Sequence, residues 1–350
     1  MKAITVEPKK PGTAKYMDIP EPDSNEGSVL VQAVAVGVCG TDVEIVEGKY
    51  GWAPPGQKHL VLGHESLGRV TDPGSVGGFK KGDLVVGIVR RPDPVPCPNC
   101  AVGEWDMCRN GLYTERGIKE IHGFMSEYWR IEPEYAVKVD PSLGILGVLL
   151  EPATVVTKAL EQIAVIGRRS FWEPQNILVT GAGPIGLLAA LFAKIYGLDV
   201  HVLDMAETGI KPDLVRSLGA TYHFGSIMNL GFRPDAVIEC TGVGLVIAEA
   251  IQQIGANGIV CLTGIGHGGK AISSAAIADV ATMAVLNNNV IVGSVNANKR
   301  HWYKAAQYLS RADRSWLRRL ITRIERPENF AKALQRGPDD IKVIIQFSEA

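Results

Sequence analysis

The chain has 350 residues, of which 46% are hydrophobic and 21% are charged. This length fits about two globular domains of roughly 150 residues each, and the composition excludes a disordered, collagen-like or coiled-coil protein. The formal net charge is -1, so no overall field gathers nucleic acid or an anionic membrane, and neither is expected as a partner.

The chain opens with MKAITVEPKK, which lacks the apolar core of a signal peptide. No apolar run of about 18 residues follows, so no membrane span is expected and a cytoplasmic location is predicted. The six cysteines are too sparse for a disulfide scaffold. Three of them, Cys97, Cys100 and Cys108, crowd into one short segment, which in a reducing compartment favours metal binding.

Residues 1 to about 155 read as short strands interrupted by glycine and proline, with β-rich runs such as LVQAVAVGVCG and HLVLGHESLGRV. This half is predicted to be a small, barrel-like β domain whose loops carry polar residues.

The pattern changes after Glu151, where apolar strands alternate with helices. GPIGLLAALFAKIYG is predicted as a helix, and the strands are NILVT, DVHVLD, AVIEC, IVCLTG and VIVGSV. Such alternation is typical of a parallel sheet covered on both faces. VIVGSV is predicted at the edge of that sheet, where a β-branched strand favours pairing with a second copy, so a homodimer or homotetramer is expected.

Amphipathic helices return in the last fifty residues or so and end in the strand KVIIQF, which has no place in the parallel sheet. We expect it to pair with the first domain. The predicted domains are residues 1–160, residues 161–295, and a C-terminal segment, residues 296–350, that returns to the first domain.

A glycine-rich loop lies between the strand NILVT and the following helix, in the sequence Gly181-Ala182-Gly183-Pro184-Ile185-Gly186. In this context Gly181 permits the tight turn, Gly183 lets the backbone approach a pyrophosphate, and Gly186 lets the helix pack on the strand. The N-terminus of the helix then faces the phosphates. The loop predicts a dinucleotide site, with Pro184 and Ile185 as cofactor-binding residues beside the glycines.

The next strand ends at Asp204, the position of an acid that accepts hydrogen bonds from ribose hydroxyls and repels a 2′-phosphate. No arginine follows it directly, which favours NAD, with NADP possible. Lys211 is the nearest cation that would relax this preference.

A thiol, an imidazole and carboxylates stand at the ends of predicted elements. Cys39 follows one apolar strand, His64 and Glu65 follow another, and Glu151 opens a helix. This donor set suits zinc, and three protein ligands with one open position characterise a catalytic zinc site.

These motifs together resemble the zinc-dependent medium-chain dehydrogenase/reductase family. GVCGTD, GHESLG, a cysteine cluster, LLEPATVVTKAL and GAGPIG occur in the family's order over essentially the whole chain. Within the family the sequence is most similar to the microbial glucose (aldose) 1-dehydrogenases, because of Leu150-Glu151-Pro152, the run from Tyr113 to Ile118, and Gly293-Ser294-Val295-Asn296. The resemblance implies an α/β fold, with a GroES-like β-barrel catalytic domain plus a Rossmann doubly wound parallel-sheet domain.

The resemblance also implies residue roles. Cys39 and His64 match the first two zinc ligands, while Glu65 and Glu151 match carboxylates that ligate zinc or act beside it as base. Thr41 matches the hydroxyl that begins the proton path. The sugar-binding residues implied are Thr41, Glu115, Glu151 and Asn296. From the residues alone, Glu115 could instead be a surface residue paired with Arg116, and Asn296 a turn residue. Position 44 is Glu, where simple alcohol dehydrogenases often have a proton-relaying His.

Many members carry a second, structural zinc on four cysteines. Cys97, Cys100 and Cys108 match three of them, and Asp93 is the candidate for the fourth ligand. The alternative is a lobe that has lost its metal.

The predicted activity is hydride transfer from C1 of an aldose such as D-glucose to NAD(P), which yields the aldonolactone. The alternatives are a polyol, threonine or other alcohol dehydrogenase of the same family, or a relative that has lost catalysis. The presence of Cys39, His64, Glu65 and Glu151 argues against the last.

Overall fold

The computed structural model describes residues 1–75, 78–266 and 274–349. Within these ranges the strands are, in chain order, β1 (Lys2–Val6), β2 (Lys15–Asp18), β3 (Val29–Gly37), β4 (Leu60–Val61), β5 (Glu65–Asp72), β6 (Leu84–Gly87), β7 (Arg90–Arg91), β8 (Thr114–Arg116), β9 (Glu120–Ile121), β10 (Tyr128–Ile131), β11 (Ala136–Lys138), β12 (Asn176–Thr180), β13 (Asp199–Asp204), β14 (Thr221–Phe224), β15 (Ala236–Glu239), β16 (Ile259–Leu262), β17 (Val290–Gly293), β18 (Ile321–Glu325) and β19 (Lys342–Gln346).

The α-helices in the same ranges are α1 (Gly40–Val46), α2 (Pro98–Ala101), α3 (Leu150–Gly167), α4 (Pro184–Ile195), α5 (Ile210–Ser217), α6 (Gly244–Gln253), α7 (Ser274–Leu286), α8 (Lys299–Arg311), α9 (Arg314–Leu320) and α10 (Phe330–Ala333). Short 3-10 helices span Ser24–Glu26, Trp105–Met107, Pro133–Tyr135, Pro141–Leu149, Ile227–Asn229 and Pro327–Asn329.

The chain forms two compact units, residues 1–151 with 297–350, and residues 152–296. The N-terminal segment of the first unit ends at Glu151, whereas the predicted boundary after residue 160 falls inside α3. Helix α3 is continuous across the limit between the units, and the change of sequence pattern after Glu151 marks that limit more closely than the predicted boundary does.

The first unit is built on the valine- and alanine-rich strand β3, which is buried along most of its length. The strand order of its main sheet is β11-β6-β5-β3-β19-β18, with β10 also paired to β3. The C-terminal strand β19 runs antiparallel to β3, with Ile344 opposite Gly37. Two three-stranded sheets, β2-β1-β4 and β7-β8-β9, complete the strands of this unit.

The second unit contains a six-stranded parallel sheet with the order β14-β13-β12-β15-β16-β17. Strands β12 and β15 are buried almost throughout, as expected for a sheet covered on both faces. Strand β17 ends the sheet, where the sequence predicted it. The strand order reverses between β12 and β15, which is the point where doubly wound sheets bind dinucleotides.

Residues Pro141–Gly167 are long and apolar enough to cross a membrane, but 78% of the relevant window is buried inside the protein. This segment therefore packs as a core helix.

Candidate active site

Cys39 lies between the end of β3 and the start of α1, with an extended backbone at φ -109° and ψ 162°. Its amide N–H donates to Oδ2 of Asp42 at 2.9 Å, which fixes the turn into the helix. The Thr41 hydroxyl lies 3.9 Å from Cys39 Sγ. The sequence GVCGTD therefore places a thiol and a hydroxyl side by side at the end of a buried strand.

His64 and Glu65 reach the same place because β5 runs antiparallel to β3, with Glu65 opposite Gly37. A Cβ atom at position 37 would stand 2.0 Å from Glu65 Oε2, so a side chain there would displace this carboxylate. One ligand atom from each of Cys39, His64 and Glu65 lies within 4.8 Å of the others. Thiolate, imidazole and carboxylate at these separations fit a zinc ion.

Asp42 lies beside the imidazole of His64, with Oδ1 3.6 Å from Nδ1. Both atoms are buried and have no closer hydrogen-bond partner. Burial opposes a charge on His64, but Asp42 and then Cys39 outweigh it and raise the pKa of His64 well above its ordinary value. A carboxylate beside a metal-binding histidine fixes the orientation and tautomer of the ring.

Lys342, from β19, forms a buried ion pair with Glu65. Its Nζ is 2.7 Å from Oε1 and 2.6 Å from Oε2, and it also donates to the carbonyl oxygen of Val38 at 3.3 Å. Burial disfavours the charged lysine, but Glu65 and Cys39 raise the pKa of Lys342 above its ordinary value. The lysine therefore holds the carboxylate next to the cysteine and histidine.

Glu151 lies in the first turn of α3. Desolvation raises its pKa to about 7, with His64 opposing the shift and Glu65 adding to it. Glu151 therefore interacts electrostatically with the histidine and Glu65, but its carboxylate is not among the atoms within 4.8 Å of one another in the group of Cys39, His64 and Glu65.

Glu115 is buried rather than on the surface, and its partner is Arg90 rather than Arg116. Nε and Nη2 of Arg90 both lie 3.0 Å from Glu115 Oε1. Arg116 instead donates to the carbonyl oxygens of His122 and Arg130. The surface-pair alternative for Glu115 is therefore wrong, because β7 places Arg90 directly opposite it.

Asn296 follows β17 and has a φ of +60°, a left-handed conformation that asparagine tolerates better than most residues. Its preceding carbonyl, that of Val295, accepts a 2.9 Å hydrogen bond from the buried Lys158. Asn296 is thus in a turn, and the turn is anchored to helix α3.

The cysteine lobe brings three sulfur atoms together, those of Cys97, Cys100 and Cys108. The Arg109 and Cys100 amides donate to Cys97 Sγ and lower the pKa of that thiol to about 6. Asp93 is not part of this group. Its carboxylate accepts from the Val95 amide at 2.9 Å and from Asn110 Nδ2 at 2.7 Å.

The glycine-rich loop joins β12 to α4, and Gly183 is the N-cap of the helix. Gly181 has a φ of +86°, and a Cβ at Gly186 would stand 1.7 Å from the Gly181 carbonyl oxygen. A Cβ at Gly183 would meet nothing within 4 Å. These three glycines have the conformation and spacing that a pyrophosphate-binding turn needs, with Pro184 and Ile185 in the first turn of α4.

Asp204, at the end of β13, is tied to this loop. Its Oδ2 accepts from the Ala182 amide at 2.5 Å, its Oδ1 accepts from the Ala206 amide at 3.0 Å, and Lys211 Nζ lies 3.6 Å from Oδ1. The carboxylate thus lies beside the glycine-rich loop, with a cation close to it.

Sequence reasoning missed Asp42, Lys342 and Arg90. Asp42 lies within the motif GVCGTD, three residues after Cys39, so the sequence could have indicated that it lies near the site. Lys342 and Arg90 had no local signal, because their partners come from other strands.

The chain matches the family model described as glucose dehydrogenase C-terminus over residues 144–347. It matches the alcohol dehydrogenase GroES-like domain over residues 25–141.

Curated relatives include glucose 1-dehydrogenase 2 of Vulcanisaeta moutnovskia, 38% identical with both chains covered in full. Glucose 1-dehydrogenase of Methanocella arvoryzae is also 38% identical, over 99% of each chain. Among solved structures, Haloferax mediterranei glucose dehydrogenase in complex with NADP, Zn and gluconolactone is similar with a TM-score of 0.90. It is 30% identical, with both chains fully covered. The chain therefore belongs to the zinc-dependent medium-chain dehydrogenase family and, within it, to the glucose dehydrogenases.

Proposed function

We propose that this chain oxidises C1 of an aldose such as D-glucose and reduces a nicotinamide dinucleotide, with the aldonolactone as product. The observation that carries the proposal is the cluster of Cys39 with the buried His64 and Glu65, in a chain that aligns in full with glucose 1-dehydrogenases. In the reaction the hydroxyl proton and the hydrogen on C1 both leave, the hydrogen as hydride, and the C1–O bond becomes a carbonyl.

Cys39, His64 and Glu65 would hold the zinc, with Glu151 beside it. When bound, the zinc supplies Lewis-acid polarisation of the hydroxyl oxygen, and the nicotinamide accepts the hydride. Thr41, 3.9 Å from the cysteine sulfur, carries the hydroxyl proton away from the site. Glu65 and Glu151 are the alternative bases. Lys342 keeps Glu65 in place, and Asp42 orients His64.

Glu115, Glu151 and Asn296 would bind the sugar hydroxyls, together with Thr41. A buried polar group without a partner costs about 1–3 kcal/mol, so a site for a polyhydroxylated substrate needs several such side chains. A pocket for a simple alcohol would need neither Glu115 nor Asn296.

The test is a steady-state panel on zinc-replete protein with D-glucose, D-galactose, D-xylose, sorbitol, threonine and ethanol. We expect the highest kcat/KM with an aldose and release of its lactone. If sorbitol, threonine or ethanol is the best substrate, the fold and hydride transfer stand, but the proposed substrate class is wrong.

We also propose that NAD is preferred over NADP, because the Asp204 carboxylate repels a 2′-phosphate. The Haloferax relative was solved with NADP, and Lys211 beside Asp204 partly offsets the repulsion here. Asp204→Asn should therefore lower the ratio of kcat/KM for NAD to that for NADP by about tenfold, the effect of about 1.4 kcal/mol. The matched control Asp199→Asn, at the exposed start of the same strand, should leave that ratio unchanged. A wild-type preference for NADP contradicts the proposed role of Asp204.

We infer that the chain works in the cytoplasm as a homodimer or homotetramer. Thiolate ligands need reducing conditions. In the edge strand β17, Ile291 is 42% exposed, which favours pairing with a second copy. A single sedimenting species at the mass of one chain contradicts the assembly.

A further inference from the structure

Arg90 and Glu115 form a buried pair in the small sheet β7-β8-β9. They are directly opposite each other in antiparallel strands, so their side chains share one face. Two N–H groups of the guanidinium converge on one carboxylate oxygen, each at 3.0 Å. Both residues are less than a tenth exposed. The Arg90 guanidinium therefore fixes the orientation of the Glu115 carboxylate.

Arg90 is itself held on two further sides. Its guanidinium carbon lies 3.6 Å from the centre of the Tyr113 ring, a stacked cation–π geometry. Its Nη1 donates to the carbonyl oxygen of Asp106 at 3.2 Å, in the 3-10 helix Trp105–Met107 of the cysteine lobe. A planar, fully engaged guanidinium loses little further entropy when it orients a carboxylate.

We propose that Arg90 is the positioning residue for Glu115, and that it sets the affinity for the sugar by fixing the direction of this carboxylate. The proposal rests on the proposed function, in which Glu115 accepts a sugar hydroxyl. An ionised carboxylate has about four acceptor sites. One that is anchored by an arginine can therefore still accept a hydroxyl, at a defined angle.

The next residue, Arg91, provides a matched control. It forms the same three kinds of contact, to the Glu132 carboxylate at 2.8 Å, to the Ile88 carbonyl oxygen at 2.7 Å, and over the Tyr135 ring at 3.9 Å. It is also buried. Glu132 is not a candidate sugar ligand, so Arg91 has the structural role of Arg90 without its proposed effect on the substrate.

The experiment measures kcat and KM for D-glucose and for its 2-, 3-, 4- and 6-deoxy analogues in wild type, Arg90→Gln, Arg91→Gln and Glu115→Gln. We expect one deoxy analogue to have a raised KM in wild type, because it lacks the hydroxyl that Glu115 accepts. In Arg90→Gln and Glu115→Gln, KM for D-glucose should rise about tenfold or more with a smaller change in kcat, as for loss of one hydrogen bond to a charged group. In both variants, KM for that analogue should no longer exceed KM for D-glucose. The double variant of Arg90→Gln with Glu115→Gln should have a KM for D-glucose no higher than that of either single variant.

Arg90→Lys should restore part of the affinity for D-glucose. This more conservative variant replaces Arg90→Gln if Arg90→Gln does not fold.

Arg91→Gln should keep the wild-type KM for D-glucose and the raised KM for the deoxy analogue. The proposal is overturned if Arg90→Gln or Arg90→Lys has the wild-type KM values for D-glucose and for the deoxy analogue while Glu115→Gln does not. In that case the sugar-binding role of Glu115 stands. The proposal is also overturned if Glu115→Gln has the wild-type KM values for D-glucose and for the deoxy analogues. That result means that Glu115 does not bind the sugar. If Glu115→Gln still oxidises D-glucose, the proposed activity itself stands.

Discussion

Lys342→Met is expected to lower the free energy of unfolding by about 3–5 kcal/mol, because removal of one partner strands the other charge in the interior. Lys342 and Glu65 are both nearly inaccessible, and the ammonium contacts both carboxylate oxygens. In the metal-free protein the remaining Glu65 carboxylate must then be protonated or must move. Either change disturbs the neighbouring Cys39 and His64, so activity should fall as well. Urea unfolding followed by fluorescence and far-UV circular dichroism measures the first effect.

Two variants make this result specific. Lys332→Met removes an exposed lysine near the C-terminus and should change the stability by no more than about 0.5 kcal/mol. The double variant Lys342→Met with Glu65→Gln leaves no buried unpaired charge and should recover part of the lost stability. If Lys342→Met unfolds within about 1 kcal/mol of wild type, the ion pair does not hold this region together.

Cys39→Ala is expected to lower kcat/KM by at least about 10³-fold, because Lewis-acid stabilisation contributes several kcal/mol and each 1.36 kcal/mol is tenfold in rate. The zinc content should fall by one ion per chain compared with wild type. Metal analysis after gel filtration and the sugar assay measure the two effects on one sample.

Cys261→Ala is the matched control. Its thiol is buried in β16, where burial raises its pKa to about 12, and among the described residues it lies in neither group of candidate metal ligands. It should keep the wild-type zinc content and rate. Cys108→Ser tests the second site separately, since any zinc held by Cys97, Cys100 and Cys108 should be lost while the zinc at Cys39 stays. Near wild-type activity in Cys39→Ala means that a catalytic zinc on this cysteine is not what the chain uses.

Much of the second unit could be predicted because its determinants are local. The alternation of apolar strands with helices predicted the parallel sheet, and the glycine-rich loop predicted the turn in which a Cβ at Gly186 would collide with the Gly181 carbonyl. The candidate zinc donors were also identified by motif. The proximity of Cys39 to His64 and Glu65 then follows from the pairing of β3 with β5.

Asp93 shows where spacing alone misleads. It stands four residues before Cys97, which made it the candidate fourth ligand. In the structure its carboxylate instead accepts from the backbone N–H of Val95, a local turn contact typical of a short carboxylate, and from the side-chain amide of Asn110.

The family, the two kinds of sheet, the nucleotide loop and the candidate ligands could all be predicted, because each depends on periodicity or on motifs confined to a few residues. The charged residues that hold these groups could not be predicted in this way. Lys342 and Glu65 are separated by 277 positions, and Arg90 and Glu115 by 25. Such pairs depend on strand order and register, which bring distant charges together in a buried, low-dielectric environment where an unpaired carboxylate is costly.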